Sequence, residues 1–145
     1  MKIRIIWTGK TKEKYLLEGI ERYLKLLRPM ANVSIIEIKE HKGRGREDNM
    51  WEEGTKILKH TGSFTLLDQT GKEYTSPELA NFLQQKTGHD FVIGGPYGVS
   101  GEIRGKAESV MSLSRMTFTH EMIRVFFLEQ IFRAMTIIHG REYHH

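Results

Sequence analysis

An α/β fold, with a mostly parallel sheet flanked by helices, is what this sequence predicts, and three observations carry the prediction. Short apolar runs rich in β-branched residues, at 3–7, 33–38 and 91–93, are too brief for helices and read as strands. Stretches with apolar residues at helical spacing separate them, and alternating strands and helices make a parallel sheet because each crossover returns the chain to the same end. Third, Phe91-Val92-Ile93 runs directly into Gly94-Gly95-Pro96-Tyr97-Gly98-Val99-Ser100-Gly101, a loop of nearly bare backbone. Ligands of α/β sheets bind just beyond the carboxyl ends of strands. Missing side chains let a ligand approach main-chain N–H and C=O groups there, although a tight turn would need the same glycines.

Ile3, Ile5, Ile6 and Trp7 form the first strand, ended by Thr8-Gly9-Lys10-Thr11. Gly-Lys-Thr after a strand suits a phosphate-binding loop, but that motif's first glycine would fall at Arg4, inside the strand, so it is rejected. From Lys12 to Arg28, Tyr15, Leu16, Ile20, Tyr23, Leu24 and Leu27 recur at helical spacing until Pro29. Val33–Ile38 is the second strand. His41 to Asp48 has two glycines, basic residues and no apolar side chain, and reads as a mobile basic loop able to meet a phosphate backbone, though most such runs are simply solvated. Asp48 or Asn49 then caps a helix to His60 with Trp51, Thr55, Ile57 and Leu58 inward.

Phe64–Asp68 reads as a strand and Gln69-Thr70-Gly71-Lys72 as a turn. Ser76-Pro77-Glu78 has the serine cap and first-turn proline of a helix start, with Leu79, Phe82 and Leu83 inward until Gly88. After the glycine loop, 103–108 reads as a short helix and 110–114 as a strand. Thr119-His120-Glu121 opens a long helix to Ile138, whose apolar residues wrap most of the cylinder. Such a helix is buried on more than one side, and in a chain this short a second copy is the natural cover, which predicts a two-fold homodimer.

At 145 residues the chain is expected to be one domain over 1–145. A formal net charge of +4 favours an acidic partner such as nucleic acid. The absence of cysteine excludes disulfides, thiolate metal sites and a cysteine nucleophile. No signal sequence or membrane-length apolar run is present, so a cytoplasmic protein without a membrane partner is expected, and no metal.

Three spaced motifs then coincide: Leu66-Leu67-Asp68-Gln69-Thr70-Gly71-Lys72, Ile93-Gly94-Gly95-Pro96-Tyr97-Gly98, and Leu113-Ser114-Arg115-Met116-Thr117-Phe118-Thr119-His120, followed by the long helix and Tyr143-His144-His145. In order and spacing, over essentially the whole chain, they resemble the RlmH (YbeA-like) family of SPOUT methyltransferases. The resemblance implies a C-terminal trefoil knot, a homodimer, and S-adenosyl-L-methionine as the cofactor. It implies methylation of N3 of a pseudouridine in the decoding-site-facing stem-loop of bacterial 23S rRNA, on the assembled ribosome. By motif position, Leu67, Gly94, Leu113, Ser114, Arg115, Met116, Thr117 and Phe118 contact the cofactor. Two positions depart from the pattern: Thr119 stands where relatives usually have proline, and His145 where they commonly have arginine or lysine.

Methyl transfer to an imide nitrogen needs the acceptor held in line and its proton removed. The resemblance points to His144, with Tyr143 and His120 beside it, as the groups that shape or deprotonate the acceptor. Glu129 and Arg133 have the spacing of an intrahelical ion pair, and Glu121 and Arg124 lie one turn apart. The resemblance alternatively turns Arg124 and Arg133 toward RNA or the partner subunit, with Lys10, Lys12, Lys14, Arg44 and Arg46 as further RNA candidates. Two rivals stand beside this reading: a ribosome-associated binding protein that has lost catalysis, and a methyltransferase of a different RNA.

Overall fold

The computed structural model describes residues 1–143. Its strands are β1 Lys2–Thr8, β2 Asn32–Ile38, β3 Thr65–Glu73, β4 Gly88–Ile93 and β5 Ser109–Ser112, joined in one five-stranded sheet of order β2-β1-β4-β3-β5. Every pairing is parallel. The helices are α1 Lys14–Leu27, α2 Arg46–Leu58, α3 Ser76–Gln84, α4 Gly101–Lys106 and α5 Met122–Ile138.

Side chains alternate across a strand, so each strand feeds two cores. Ile3, Ile5, Trp7, Phe91, Ile93 and Leu67 share one with Ile20 and Leu27 of α1, Leu79 and Leu83 of α3, and Phe127, Leu128, Ile131 and Met135 of α5. The intervening Ile6, Leu66 and Val92 share the other with Ile57 of α2 and Ile103 of α4. On α5, the half-buried Ile123, Val125, Phe132, Ile137 and Ile138 and the exposed Phe126 continue the apolar surface beyond the fully buried side.

The structure corrects several element-level expectations. Tyr15 is 62 % exposed, because Leu16 and Ile20 take the inward positions of α1. Neither Asp48 nor Asn49 caps α2, which starts at Arg46; their side chains turn back to accept from the N–H groups of Arg44 (3.4 Å) and Gly43 (2.6 Å), holding the basic loop by hydrogen bonds rather than by burial. Gly54 and Ile57 face inward, and Trp51 and Thr55 face solvent. A Cβ on Gly54 would lie 2.8 Å from Ile103 Cγ1, so the close approach of α2 to α4 fixes that rotation. The expected turn at 69–72 is a bulge inside β3, where Leu67 and Lys72 both align with Met111. Thr75, not Ser76, caps α3, in a reciprocal capping box with Glu78, and the Ser76 hydroxyl donates to Gln130 instead. The same helix stops at Gln84, before Gly88, which opens β4. Glu121 stands at the N-cap of α5 without a side-chain bond, and Thr119 braces the turn before it, its hydroxyl accepting from Met122 N–H at 3.1 Å.

Candidate active site

From β4 the chain passes through α4 across β3 to β5, reversing the direction in which α3 carried it from β3 to β4. Crevices open at the carboxyl edge of a sheet where connections diverge in this way. Three loops meet there around a cleft of about 300 Å³. The β3 bulge contributes Leu67, Asp68 and Gln69; the glycine loop contributes Ile93 to Gly98; the segment after β5 contributes Leu113, Ser114, Met116, Thr117 and Phe118, with His120 and Ile123 completing the wall.

The loops are braced from within. A Cβ at Gly94 would stand 2.6 Å from the carbonyl carbon of Gly98, and Gly98 has φ +79°, so both positions demand glycine. Gly98 N–H donates to Gly95 C=O at 2.9 Å and closes the loop on itself. The Thr117 hydroxyl donates to Gln69 Oε1 at 2.7 Å, joining the segment after β5 to the bulge. Asp68 accepts from Thr70 N–H at 3.0 Å and from Arg104 Nη1 at 2.9 Å, tying the bulge to α4. Burial opposes ionisation of Asp68, but the hydrogen bonds from Thr70 and Arg104 outweigh it and hold the carboxyl below its usual range.

The cleft departs from an ordinary core in what it leaves uncovered. Met116 is 77 % exposed and Tyr97 60 %, while Phe118 packs edge-on against Phe126 with centroids 5.0 Å apart. Burial, then the charge of Arg124, pushes the His120 imidazole below its ordinary value, so it is neutral at neutral pH.

A nucleoside carrying an aliphatic tail needs an apolar slot, main-chain groups for the edge of its base, and clearance for its ribose. Leu67, Leu113, Met116 and Ile123 offer the first and the Gly94–Gly98 backbone the second. Clearance exists at Gly98, where a Cβ would meet nothing within 4 Å. The residues present therefore fit S-adenosylmethionine.

All the cofactor candidates except Arg115 line this cleft. The Arg115 side chain is 86 % exposed and pairs with Glu73 at 3.2 Å. Of the catalytic candidates, His120 is in the lining. Tyr143 is not: its ring packs edge-on against Phe132 at 4.7 Å, and its hydroxyl donates to Glu129. Burial, then Glu129, raises its phenol to about 12. His144 lies outside the described residues, as does His145.

Arg124, expected at an RNA or subunit surface, is fully buried. It donates to Thr8 C=O at 2.7 Å and to the Thr11 hydroxyl at 2.9 Å, and lies over the Trp7 ring. Its expected neighbour Glu121 instead accepts from the N–H groups of Lys12 (2.6 Å) and Glu13 (3.2 Å) at the start of α1. Arg133 forms the expected ion pair with Glu129 at 2.7 Å. Lys10 and Arg44, on loops, and Arg46, the first residue of α2, are exposed at the same sheet edge as the cleft.

The lining also includes Asp68, Gln69, Gly95, Pro96, Tyr97 and Ile123, none of which the sequence singles out by itself. All but Ile123 stand inside the quoted motifs; Ile123 is marked only as one apolar position among many on α5. Among the described residues, no His, Asp or Glu group is arranged to hold a metal ion, and no helix is long and apolar enough to cross a membrane.

A sheet of this order with a braced, backbone-rich cleft at its carboxyl edge defines a class, and comparison with known proteins agrees: the family described as "Predicted SPOUT methyltransferase" matches residues 1–144. The chain is 45 % identical to the ribosomal RNA large subunit methyltransferase H of Thermodesulfovibrio yellowstonii, covering 99 % of both proteins. With the protein of the same name from Geotalea daltonii it is 41 % identical, over 100 % of each. The chain belongs to the SPOUT methyltransferases and, within them, to the ribosomal RNA large subunit methyltransferase H (RlmH) family.

Proposed function

We propose that this chain, as one domain over 1–145, is an S-adenosylmethionine-dependent methyltransferase of bacterial 23S rRNA. It acts in the cytoplasm, as a homodimer on the assembled ribosome, and methylates N3 of a pseudouridine in the decoding-site-facing stem-loop. The observation that carries the reading is the convergence of the β3 bulge, the glycine loop and the segment after β5 on one cleft. The names of its relatives support large-subunit rRNA as the substrate. The half-exposed apolar side of α5 supports the dimer. A knotted C-terminus belongs to the same reading, supported by the passage of residues 113–121 from the end of β5 to the face where α5 packs on α1 and α3.

S-adenosylmethionine supplies an electrophilic methyl group on a sulfonium. Leu67, Leu113 and Met116 would hold its base, the loop from Gly94 to the open backbone at Gly98 would admit its ribose and tail, and Ser114, Thr117 and Phe118 would close the wall. Holding an acceptor in line with such a group contributes roughly 7–11 kcal/mol to catalysis. His120, neutral and in the lining, is in the right state to accept the imide proton, together with His144. Tyr143, outside the lining and bonded to Glu129, keeps its proton at neutral pH and does not act as the base. Lys10, Arg44 and Arg46 meet phosphates.

The test incubates the protein and radiolabelled S-adenosylmethionine with ribosomes, separated subunits and naked rRNA from a strain lacking the modification. Label on N3 of one pseudouridine, located by mass spectrometry, is the expected result. Absence of S-adenosylmethionine binding in a calorimetric titration would instead favour the non-catalytic rival.

A further inference from the structure

Tyr97 is the residue of the glycine loop whose placement neither packing nor cofactor binding explains. An aromatic side chain 60 % exposed forgoes most of the burial that usually decides its position. Its ring lines both the cleft and a smaller hollow beside it, walled by Glu40, His41, Asn49, Met50 and Glu53. The Arg46 guanidinium, from the first turn of α2, lies over the ring 4.3 Å from its centroid. Arg46 thus covers one face of the ring, and among the described residues no ring contact or hydrogen bond is recorded for the rest of it.

The surroundings carry both signs, with Glu40 and Glu53 in the hollow and a basic rim beside Arg46. Lys42 and Arg44 stand beside Arg46 in the exposed loop after β2, and Asn49 and Asp48 hold that loop through the N–H groups of Gly43 and Arg44. A flat aromatic surface backed by a cation, at the rim of a cleft and flanked by basic residues on a braced loop, has the features by which proteins hold an unpaired base. The base stacks on the ring, and the cations take the neighbouring phosphates. Chemistry on a base edge requires that base to be out of its own stack, so such a surface is needed next to the methyl donor.

Building on the methyltransferase reading, we propose that Tyr97, backed by Arg46, is the stacking platform for the acceptor nucleotide. In this arrangement the glycine loop faces the cofactor with its backbone and the RNA with its one large side chain. Tyr97 is then a substrate-positioning residue and Arg46 its support.

The test measures methyl transfer to ribosomes from a strain lacking the modification, with S-adenosylmethionine affinity measured separately by calorimetry, for Tyr97→Ala, Tyr97→Phe and Arg46→Ala. Losing one base–aromatic stack should raise the KM for ribosomes in Tyr97→Ala between about five- and a hundredfold. Cofactor affinity should stay at the wild-type value, Tyr97→Phe should return KM close to wild type, and Arg46→Ala should raise it by a smaller factor. A Tyr97→Ala variant with wild-type KM overturns the proposal, as does one that loses cofactor affinity, which would make the ring part of the adenine slot. If the unaltered protein labels no ribosomal RNA, the functional reading fails first and the platform with it, an outcome distinct from either.

Discussion

The two edges of the sheet each carry a concavity, and the larger one lies away from the three motif segments. At the amino edge, a depression of about 780 Å³ is lined by Lys2, Arg4, Phe64, Lys86, His89, Asp90 and Glu108, among others. Most of its polar groups already have partners in the chain. Arg4 Nε donates to Asp90 at 2.8 Å, Lys86 and Ser63 each reach Glu108 at 2.7 Å, Thr65 bonds Ser109, and His89 meets Leu83 C=O at 2.8 Å. At the carboxyl edge the cleft is smaller, yet its walls are glycine backbone and apolar side chains left in water. Volume alone does not distinguish the two. What distinguishes them is the kind of lining: paired charges at the amino edge, against glycine backbone and exposed side chains such as Met116 and Tyr97 at the carboxyl edge, which a ligand can cover.

Substitutions at the two edges should therefore separate binding from stability. The largest effect is expected at Gly94, where any Cβ meets the Gly98 backbone at 2.6 Å. Gly94→Val should displace the loop and lower S-adenosylmethionine affinity on the order of 100-fold, read by calorimetry. An affinity within a few-fold of wild type would break the contrast between the edges.

Gly71 lies where the bulge of β3 presses on β5, and a Cβ there would stand 2.6 Å from the Val110 carbonyl carbon. Both backbones belong to the sheet and cannot give way cheaply. Gly71→Ala should cost about 2–3 kcal/mol in denaturant unfolding and weaken cofactor binding as well, since the bulge carries Leu67 and Asp68.

At the amino edge, Asp90→Asn should cost about 1–2 kcal/mol at neutral pH and leave cofactor affinity unchanged. Burial opposes ionisation of Asp90, but hydrogen bonds from Arg4 and Thr61 and the charge of Arg4 prevail, so its folded value lies below the ordinary 3.8. The carboxylate's contribution is thus complete well above pH 3.8 and lost as pH falls through the folded value. The gap in melting temperature between wild type and Asp90→Asn should narrow over that acidic range, sharpening the view of this edge as structural.

Strands and helices were legible because period-two and helical patterns reach the sequence directly: Ile3, Ile5 and Trp7 against Ile6, or Leu16, Ile20 and Leu27 on α1. The glycine loop was legible as bare backbone at the end of β4, open to a ligand or to a tight turn alike. Tertiary choices were less so. Ser76 and Thr75 are both competent caps, and the reciprocal bonds of Thr75 with Glu78, together with the Ser76 bond to Gln130, decide between them. Arg124 reads as a surface cation until the fold sets it between Trp7 and Thr8, and Arg115 sits in a cofactor motif with its side chain turned to Glu73. Tyr97 was visible only as a member of a glycine motif; its contact with Arg46, the first residue of α2, is a tertiary one.

Backbone amide chemical shifts followed during titration with S-adenosylmethionine test the convergence of the three loops most directly. The account predicts that the large perturbations fall in 67–70, 94–98 and 113–120, with the amides of Lys2, Arg4, Lys86, Asp90 and Glu108 nearly still. Perturbations centred on the amino-edge depression, or confined to one of the three loops, would contradict it.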